Sequence, residues 1–264
     1  MTDTDYALNA KLKRAMYHLN AVSRSVKRYL EGSAVRIEND FDLEPSQLIV
    51  RSRIRRQPPL SLGVSIGEFL YHQRAALDYM ACELVRHNGQ QVNRHVEFPI
   101  FMDADNFRNP VTKQLTPALV NRIGLMRADH QKVLEEEQPF QGKYGKTEDD
   151  PLAMLYGLSN YDRHQFLHVA SALPNESIFK FTPEAAEKRF ELANVNHGIF
   201  TNDGEIARFH ILDGDTVDAY VDSSVRFDLV FGQDGPEAGR QVLKTLAGIS
   251  IRVAEVVLRL NNYA

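Results

Sequence analysis

The stretch Asn160-Tyr161-Asp162-Arg163-His164-Gln165-Phe166-Leu167-His168 gathers a carboxylate, a guanidinium and two imidazoles. An imidazole that titrates near neutrality can take or give a proton at a ribose 2′-hydroxyl or a leaving oxygen. An arginine can hold a phosphate and stabilise the charge that develops on it. Arg163, His168 and His164 are therefore the candidate catalytic residues. Asp162 raises a separate question. Read as one helix over 151–170, the segment places Leu152, Leu155, Leu158, Phe166, Val169 and Ala170 on an apolar face, with Asp162 in its middle. His164 and His168 then project together from the other side. A carboxylate on a core-facing position needs a partner, because burying it alone is costly.

The candidate partners lie on an earlier amphipathic segment. Gln73 points into its apolar stripe, and Arg74 and Asp78 sit one turn apart at the margin. Asp162 is expected to be partly buried and paired with Arg74 or Gln73. His164 and His168, four apart, could instead share a metal ion, with His72, Asp78, His95 or Glu97 as a third ligand. Spacing selects none of these, so no metal or cofactor is expected. Arg51, Arg53 and Arg55 alternate onto one face of a strand-like run. They are either a phosphate-tracking RNA surface or the solvated face of an edge strand.

Arg163 and His168, with polar His164 after the arginine, resemble the Arg-x4-6-His signature of HEPN domains. These are helical bundles found in many prokaryotic toxins and antiviral effectors. The resemblance implies metal-independent RNA cleavage of a toxin or phage-defence type, with Arg163 on the phosphate, His168 as acid/base and His164 assisting. It also implies RNA as partner and a homodimer. Six residues carry it strongly, and Gln73-Arg74-Ala75-Ala76-Leu77-Asp78 adds weakly. A broader likeness spans roughly 65–170. Arg74-Ala75-Ala76-Leu77-Asp78, Phe98-Pro99-Ile100-Phe101 and the run from Leu155 through Leu158-Ser159-Asn160 to Asp162-Arg163-His164 look like an uncharacterised group of bacterial proteins. In that group the basic residue after the aspartate is commonly lysine. The competing expectation is a non-enzymatic binding or interaction protein, in which the helix carrying Asp162, Arg163 and His164 is a structural joint.

Four long amphipathic segments must position these residues. Leu12, Met16, Leu19, Val26 and Leu30 predict a helix over 4–30, stopped by Gly32. Ile66, Phe69, Leu70, Leu77, Met80, Ala81 and Leu84 predict a second over 64–87. The third is 151–170. Val242, Leu246, Ile249, Val253, Val256 and Leu260 predict the last, over 238–261, with heptad-like spacing that offers a face for self-association. Shorter helices are expected at 116–126 and 128–138. Strands are expected at 35–38, 48–55, 176–181, 188–196, 205–212, 217–221 and 224–232. The segment 89–112 reads as irregular around an apolar plug at 98–101. The fold class that follows is α+β: a helical bundle with a mostly antiparallel sheet inserted before the C-terminal helix, forming one unit over 1–264.

Composition sets outer bounds. In 264 residues, 43% are hydrophobic and 25% charged, ordinary for a folded soluble chain. No apolar run approaches the ~20 residues of a membrane span. The polar, acidic start lacks a signal-peptide pattern. A single cysteine, Cys82, excludes an intramolecular disulfide and a cysteine-rich metal site. A cytoplasmic protein is expected, with Cys82 a small apolar filler. The net charge of −4 gives no bulk attraction for nucleic acid. Residues 1–60, however, carry 11 Lys+Arg against 7 Asp+Glu, so the first quarter is locally basic.

Overall fold

Leu8, Ala15, Val22, Val26 and Tyr29 are all buried on the first helix, with Leu12 and Leu19 half-buried between them. This alternating four–three spacing is a core-facing stripe. It differs from the expected stripe, because Met16 and Leu30 face solvent and Ala15, Val22 and Tyr29 take their places. The computed structural model describes residues 3–42, 46–172, 190–200, 203–212 and 227–262. The strands expected at 176–181 and 217–221 lie outside the described residues.

The order is α1 (Asp3–Glu31), β1 (Val35–Asp42), β2 (Gln47–Ile54), α2 (Ser61–His87), α3 (Ala104–Phe107), α4 (Pro117–Ile123), α5 (Ala128–Glu136), α6 (Pro151–Asp162), β3 (Val169–Ala172), β4 (Phe190–Val195), β5 (Ile199–Phe200), β6 (Gly204–Ile211), β7 (Asp228–Phe231) and α7 (Val242–Asn261). The class is α+β, as the periodicities predict. Helix α1 packs along α2, α6 and α7 pack on each other and on α2, and α1 also meets α7. All seven apolar stripe residues named for α2, and all six heptad residues of α7, are buried. The heptad face of α7 is thus consumed inside the chain and is no surface for self-association.

Two antiparallel sheets complete the fold, in orders β1-β2-β6-β4 and β5-β3-β7. The larger sheet has its own apolar cluster of Leu48, Val50, Phe200, Ile206, Ala207 and Phe209. In β7, Val230 is buried along with Leu229 and Phe231, so both faces of the strand are covered at these positions. Tyr29 ties α1 to both sheets: its hydroxyl donates to the Arg56 carbonyl at 2.9 Å and lies 3.0 Å from Ser171 Oγ.

The apolar plug is stitched in place by polar side chains. Phe98 and Ile100 are buried. Arg74 Nη2 donates to the Phe98 carbonyl at 2.5 Å, and the Phe98 N–H donates to Asp78 Oδ1 at 3.0 Å. Gln138 accepts from the Phe101 N–H at 2.9 Å and donates to the Pro99 carbonyl at 3.0 Å. Arg74 and Asp78 also lie 3.5 Å apart as a pair. Burial pushes the Asp78 carboxyl up, and Arg74 pulls it part of the way back.

Helix α7 is clamped by an ionic knot. Arg252 is 1% exposed, and its Nη1 meets Glu137 Oε2 at 2.5 Å. Its Nη2 donates to the Glu137 carbonyl at 2.9 Å, and Arg259 binds the second Glu137 oxygen. Asp150, also 1% exposed, caps α6 by accepting from Leu152 N–H at 2.8 Å.

Candidate functional site

Helix α6 starts where capping chemistry demands, with Asp150 as N-cap and Pro151 at the first helical position. It ends at Asp162, eight residues before the expected end. The His164 and Gln165 N–H groups both donate to the Tyr161 carbonyl, closing a turn. Phe166–His168 belong to no helix or strand, and Val169–Ala172 pairs antiparallel with β7. The helical wheel fails past 162 because sheet pairing wins: Val169–Ala172 takes its backbone partners from β7, and Leu167, left off the expected apolar face, is buried in the core.

The consequences for the candidate residues are concrete. Arg163, His164, Gln165, Phe166 and His168 are all exposed on the turn. His164 and His168 no longer share a helix face, and among the described residues no group of three or more His, Cys, Asp or Glu could hold a metal. Phe166, assigned to the apolar face, is 38% exposed with its ring edge-on to His168, centroids 5.2 Å apart.

Asp162 is exposed too, and pairs with neither Arg74 nor Gln73. Arg74 and Asp78 hold the plug, and Gln73 is buried with its Oε1 unpartnered. The Asp162 carboxylate lies instead over α2 at Gly67. A Cβ built on Gly67 would stand 2.7 Å from Asp162 Oδ1 and 2.8 Å from its Cγ. One turn earlier, a Cβ on Gly63 would stand 2.5 Å from the Leu167 carbonyl oxygen and 2.7 Å from Phe166 Cζ. Gly63 and Gly67 therefore form a bare strip on which the turn seats. Their four-residue spacing inside a helical pattern is a sequence signal for close approach, and the motif reading passed over it. Burial against this strip raises the Asp162 carboxyl above its ordinary value, with no donor to offset it.

Beside the turn opens a groove of about 370 Å³, lined by Val64, Gly67, Glu68 and Tyr71 of α2 and by Asp162, Gln165 and Phe166. A second hollow of about 200 Å³ lies on the other side of Phe166, between Gln57-Pro58-Pro59-Leu60 and His168. Behind the groove, buried His18 places Nδ1 2.9 Å from Glu68 Oε2. His72 stacks on His18 with centroids 5.5 Å apart, and its Nδ1 is buried without a partner. Lys11 stands over the Tyr71 ring at 4.8 Å. Burial lowers the His18 pKa, Glu68 pulls it part of the way back, and Arg14 adds a smaller push down; burial, then Lys11, lowers that of His72. Both rings favour the neutral form, so His18 donates to Glu68.

The three strand arginines are not brought to this place. Arg51 pairs with Asp40 at 2.7 Å, and Arg53 with Glu38 at 2.7 Å and Asp203 at 3.0 Å. In the antiparallel register Arg51 lies opposite Glu38 and Arg53 opposite Arg36, and each arginine reaches diagonally to the acid two residues further along β1, so two of the three are neutralised across the sheet.

No family model matches the chain, and neither a curated protein nor a solved structure matches it.

Proposed function

We propose that the chain is a HEPN-like, metal-independent ribonuclease that works at the 163–168 turn. One observation carries the reading: Arg163, His164 and His168 are presented to solvent on a bend, beside a hollow bounded by His168 and Phe166. On a straight helix, residues five apart diverge by roughly 140°; helix α6 ends at Asp162, so that divergence is not imposed on Arg163 and His168.

In the step proposed, the ribose 2′-OH loses its proton to one imidazole and its oxygen attacks the adjacent phosphorus. The P–O5′ bond breaks, and the leaving oxygen is protonated. The products are a 2′,3′-cyclic phosphate and a 5′-hydroxyl. His168 serves as acid/base with His164 assisting, and Arg163 binds the phosphate oxygens where charge builds. The exposed Phe166 ring offers a stacking surface for a neighbouring base.

A second reading, a non-enzymatic interaction protein, is favoured by a different observation. The turn seats closely on Gly63 and Gly67, as a structural joint would. Induced expression of wild type, Arg163→Ala and His168→Ala, with growth and total RNA followed together, separates the two. The ribonuclease reading expects wild type to slow growth and fragment RNA, and each substitution to abolish both. Wild type that leaves RNA intact under every condition, phage challenge included, refutes it. Fragmentation that survives both substitutions moves the activity away from the turn.

A further inference from the structure

We infer that the groove beside the turn is a base-recognition pocket for guanine, with the Asp162 carboxylate reading the N1–H and N2–H₂ donors. The inference takes its RNA context from the proposed ribonuclease activity, but the binding it describes can be measured without cleavage.

Three features of the groove point to this ligand. Its walls are aromatic and available: Tyr71 is 62% exposed and Phe166 38%, and both line it. Bases stack on such rings whatever their identity. Its floor is bare, because Gly67 has no side chain and Asp162 rests over it. A volume of about 370 Å³ falls in the range of small-ligand pockets, ~300–1,000 Å³.

The polar group at the floor supplies the selectivity. An ionised carboxylate only accepts hydrogen bonds, through two oxygens side by side. Among the described residues none donates a hydrogen bond to Asp162 or pairs with it as an ion, so both oxygens are open to a ligand. Among the four RNA bases, guanine alone sets two donors side by side on its Watson–Crick edge. Adenine and cytosine each set one donor beside an acceptor, and uracil sets one donor between two acceptors. An acceptor facing a carboxylate is repelled, so the other three bases lose more than one hydrogen bond. Glu68 is the weaker reader, since His18 already holds one of its oxygens. Gln165 lines the same groove and can donate its side-chain amide to guanine O6.

The location links base to chemistry. Phe166 bounds both the groove and the His168 hollow, so a base stacked on it lies next to the hollow that His168 lines. Lys11, above Tyr71, sets a cation beside the stack and away from the floor. The groove thus offers acceptors to the base edge and positive charge to the backbone.

The test is calorimetric titration of the full chain with GMP, AMP, CMP and UMP, and separately with guanosine and with free arginine. GMP is expected to bind at least about tenfold more tightly than the other three, a difference of ~1.4 kcal/mol. Guanosine should keep that preference without its phosphate. Asp162→Asn should remove the preference without lowering the thermal midpoint, since burial disfavours the charged carboxylate and no protein partner is lost. Tyr71→Ala should weaken all four nucleotides together. Arg163→Ala should still prefer guanosine. Equal binding of the four nucleotides, or a preference that survives Asp162→Asn, overturns the inference. Binding of arginine without guanosine also overturns it, marking the groove as a seat for a cationic side chain. The two readings can fail separately. A chain that selects guanosine but never cuts RNA keeps the pocket and loses the ribonuclease. A chain that cuts RNA without base preference does the reverse.

Discussion

Gly67 and Gly63 face different neighbours, and the difference can be measured. At Gly67 the intruding atoms belong to the free end of Asp162, which can swing into solvent. Gly67→Ala also gains about 1 kcal/mol of helix propensity. Its unfolding midpoint in urea should therefore lie close to wild type or above it, while the carboxylate leaves the groove. At Gly63 the intruded atom is the Leu167 backbone carbonyl, in a segment pinned by β3 pairing. Gly63→Ala should cost about 1–3 kcal/mol through overpacking. Equal midpoints for the two variants would show that the turn is not held at 167. At the level of residue types the candidates were legible: Arg163, His164 and His168 stand out in the sequence and are exposed in the fold. Asp162 was misplaced, because the argument for its burial depended on a helix that stops at that residue. Arg74 and Asp78 were found to be coupled, yet their true client, the Phe98 backbone, is an irregular segment that no periodicity announces.

Helices α2 and α7 were legible almost to the residue, since long apolar repeats at helical spacing leave little choice of face. What the repeats did not reveal is Arg252, which falls on the buried side of α7 among Ile249, Val253 and Val256. Truncating it leaves Glu137 with Arg259 alone and takes away the Arg252 Nε that stands 3.9 Å from buried Asp150 Oδ1, so Arg252→Ala should lower unfolding free energy by about 3–5 kcal/mol in denaturant titrations. A loss under 1 kcal/mol would mean that the knot is dispensable. Burial pushes the Glu137 carboxyl up, but hydrogen bonds from Arg259 and Arg252 outweigh it and hold its pKa below the ordinary 4.5. A depressed carboxylate contributes stability that is present above 4.5 and lost as pH falls through the folded value. Glu137→Gln should accordingly flatten the acid limb of the stability curve.

The α1–α2 contact titrates in a different window. His18 and His72 both have folded pKa values below 6.5, so the unfolded chain binds more protons than the folded one. Their contribution is present above pH 6.5 and is lost as pH falls through the lowered values. The thermal midpoint should drop between pH 7.5 and 5.5. His72→Phe keeps a ring against His18 and removes both the titrating group and its unpartnered nitrogen. That variant should show a smaller drop. An identical drop would place the acid sensitivity elsewhere.

At the scale of the whole molecule, apolar burial divides unequally. One cluster joins α1, α2, α6, α7, β3 and β7, whereas the larger sheet closes over a much smaller group around Leu48, Val50 and Phe209. Local stability follows buried apolar contact. Amides of β2 and β6 should exchange with deuterium faster than those of α2 and α7, by mass-spectrometric mapping. Uniform protection would show that the two clusters open together. Among the described residues no helix is long and apolar enough to cross a membrane. The sequence conveyed this scale least well, because strand pairing across 150 residues, as between β2 and β6, leaves no local trace.

The ionic knot also sets an order of events during synthesis. Glu137 and Asp150 leave the ribosome well before Arg252 and Arg259, and Leu152, Leu155 and Leu158 leave it well before the face of α7 that covers them. A nascent chain that already displays Arg163 and His168 still holds two acids without their cations and an uncovered apolar ridge. Chains emerge N-terminal part first, so the bundle cannot close until residues 242–261 arrive. For a chain proposed to cut RNA, that delay falls where it matters: the core beneath the proposed cutting turn is completed only after the message has been read past it.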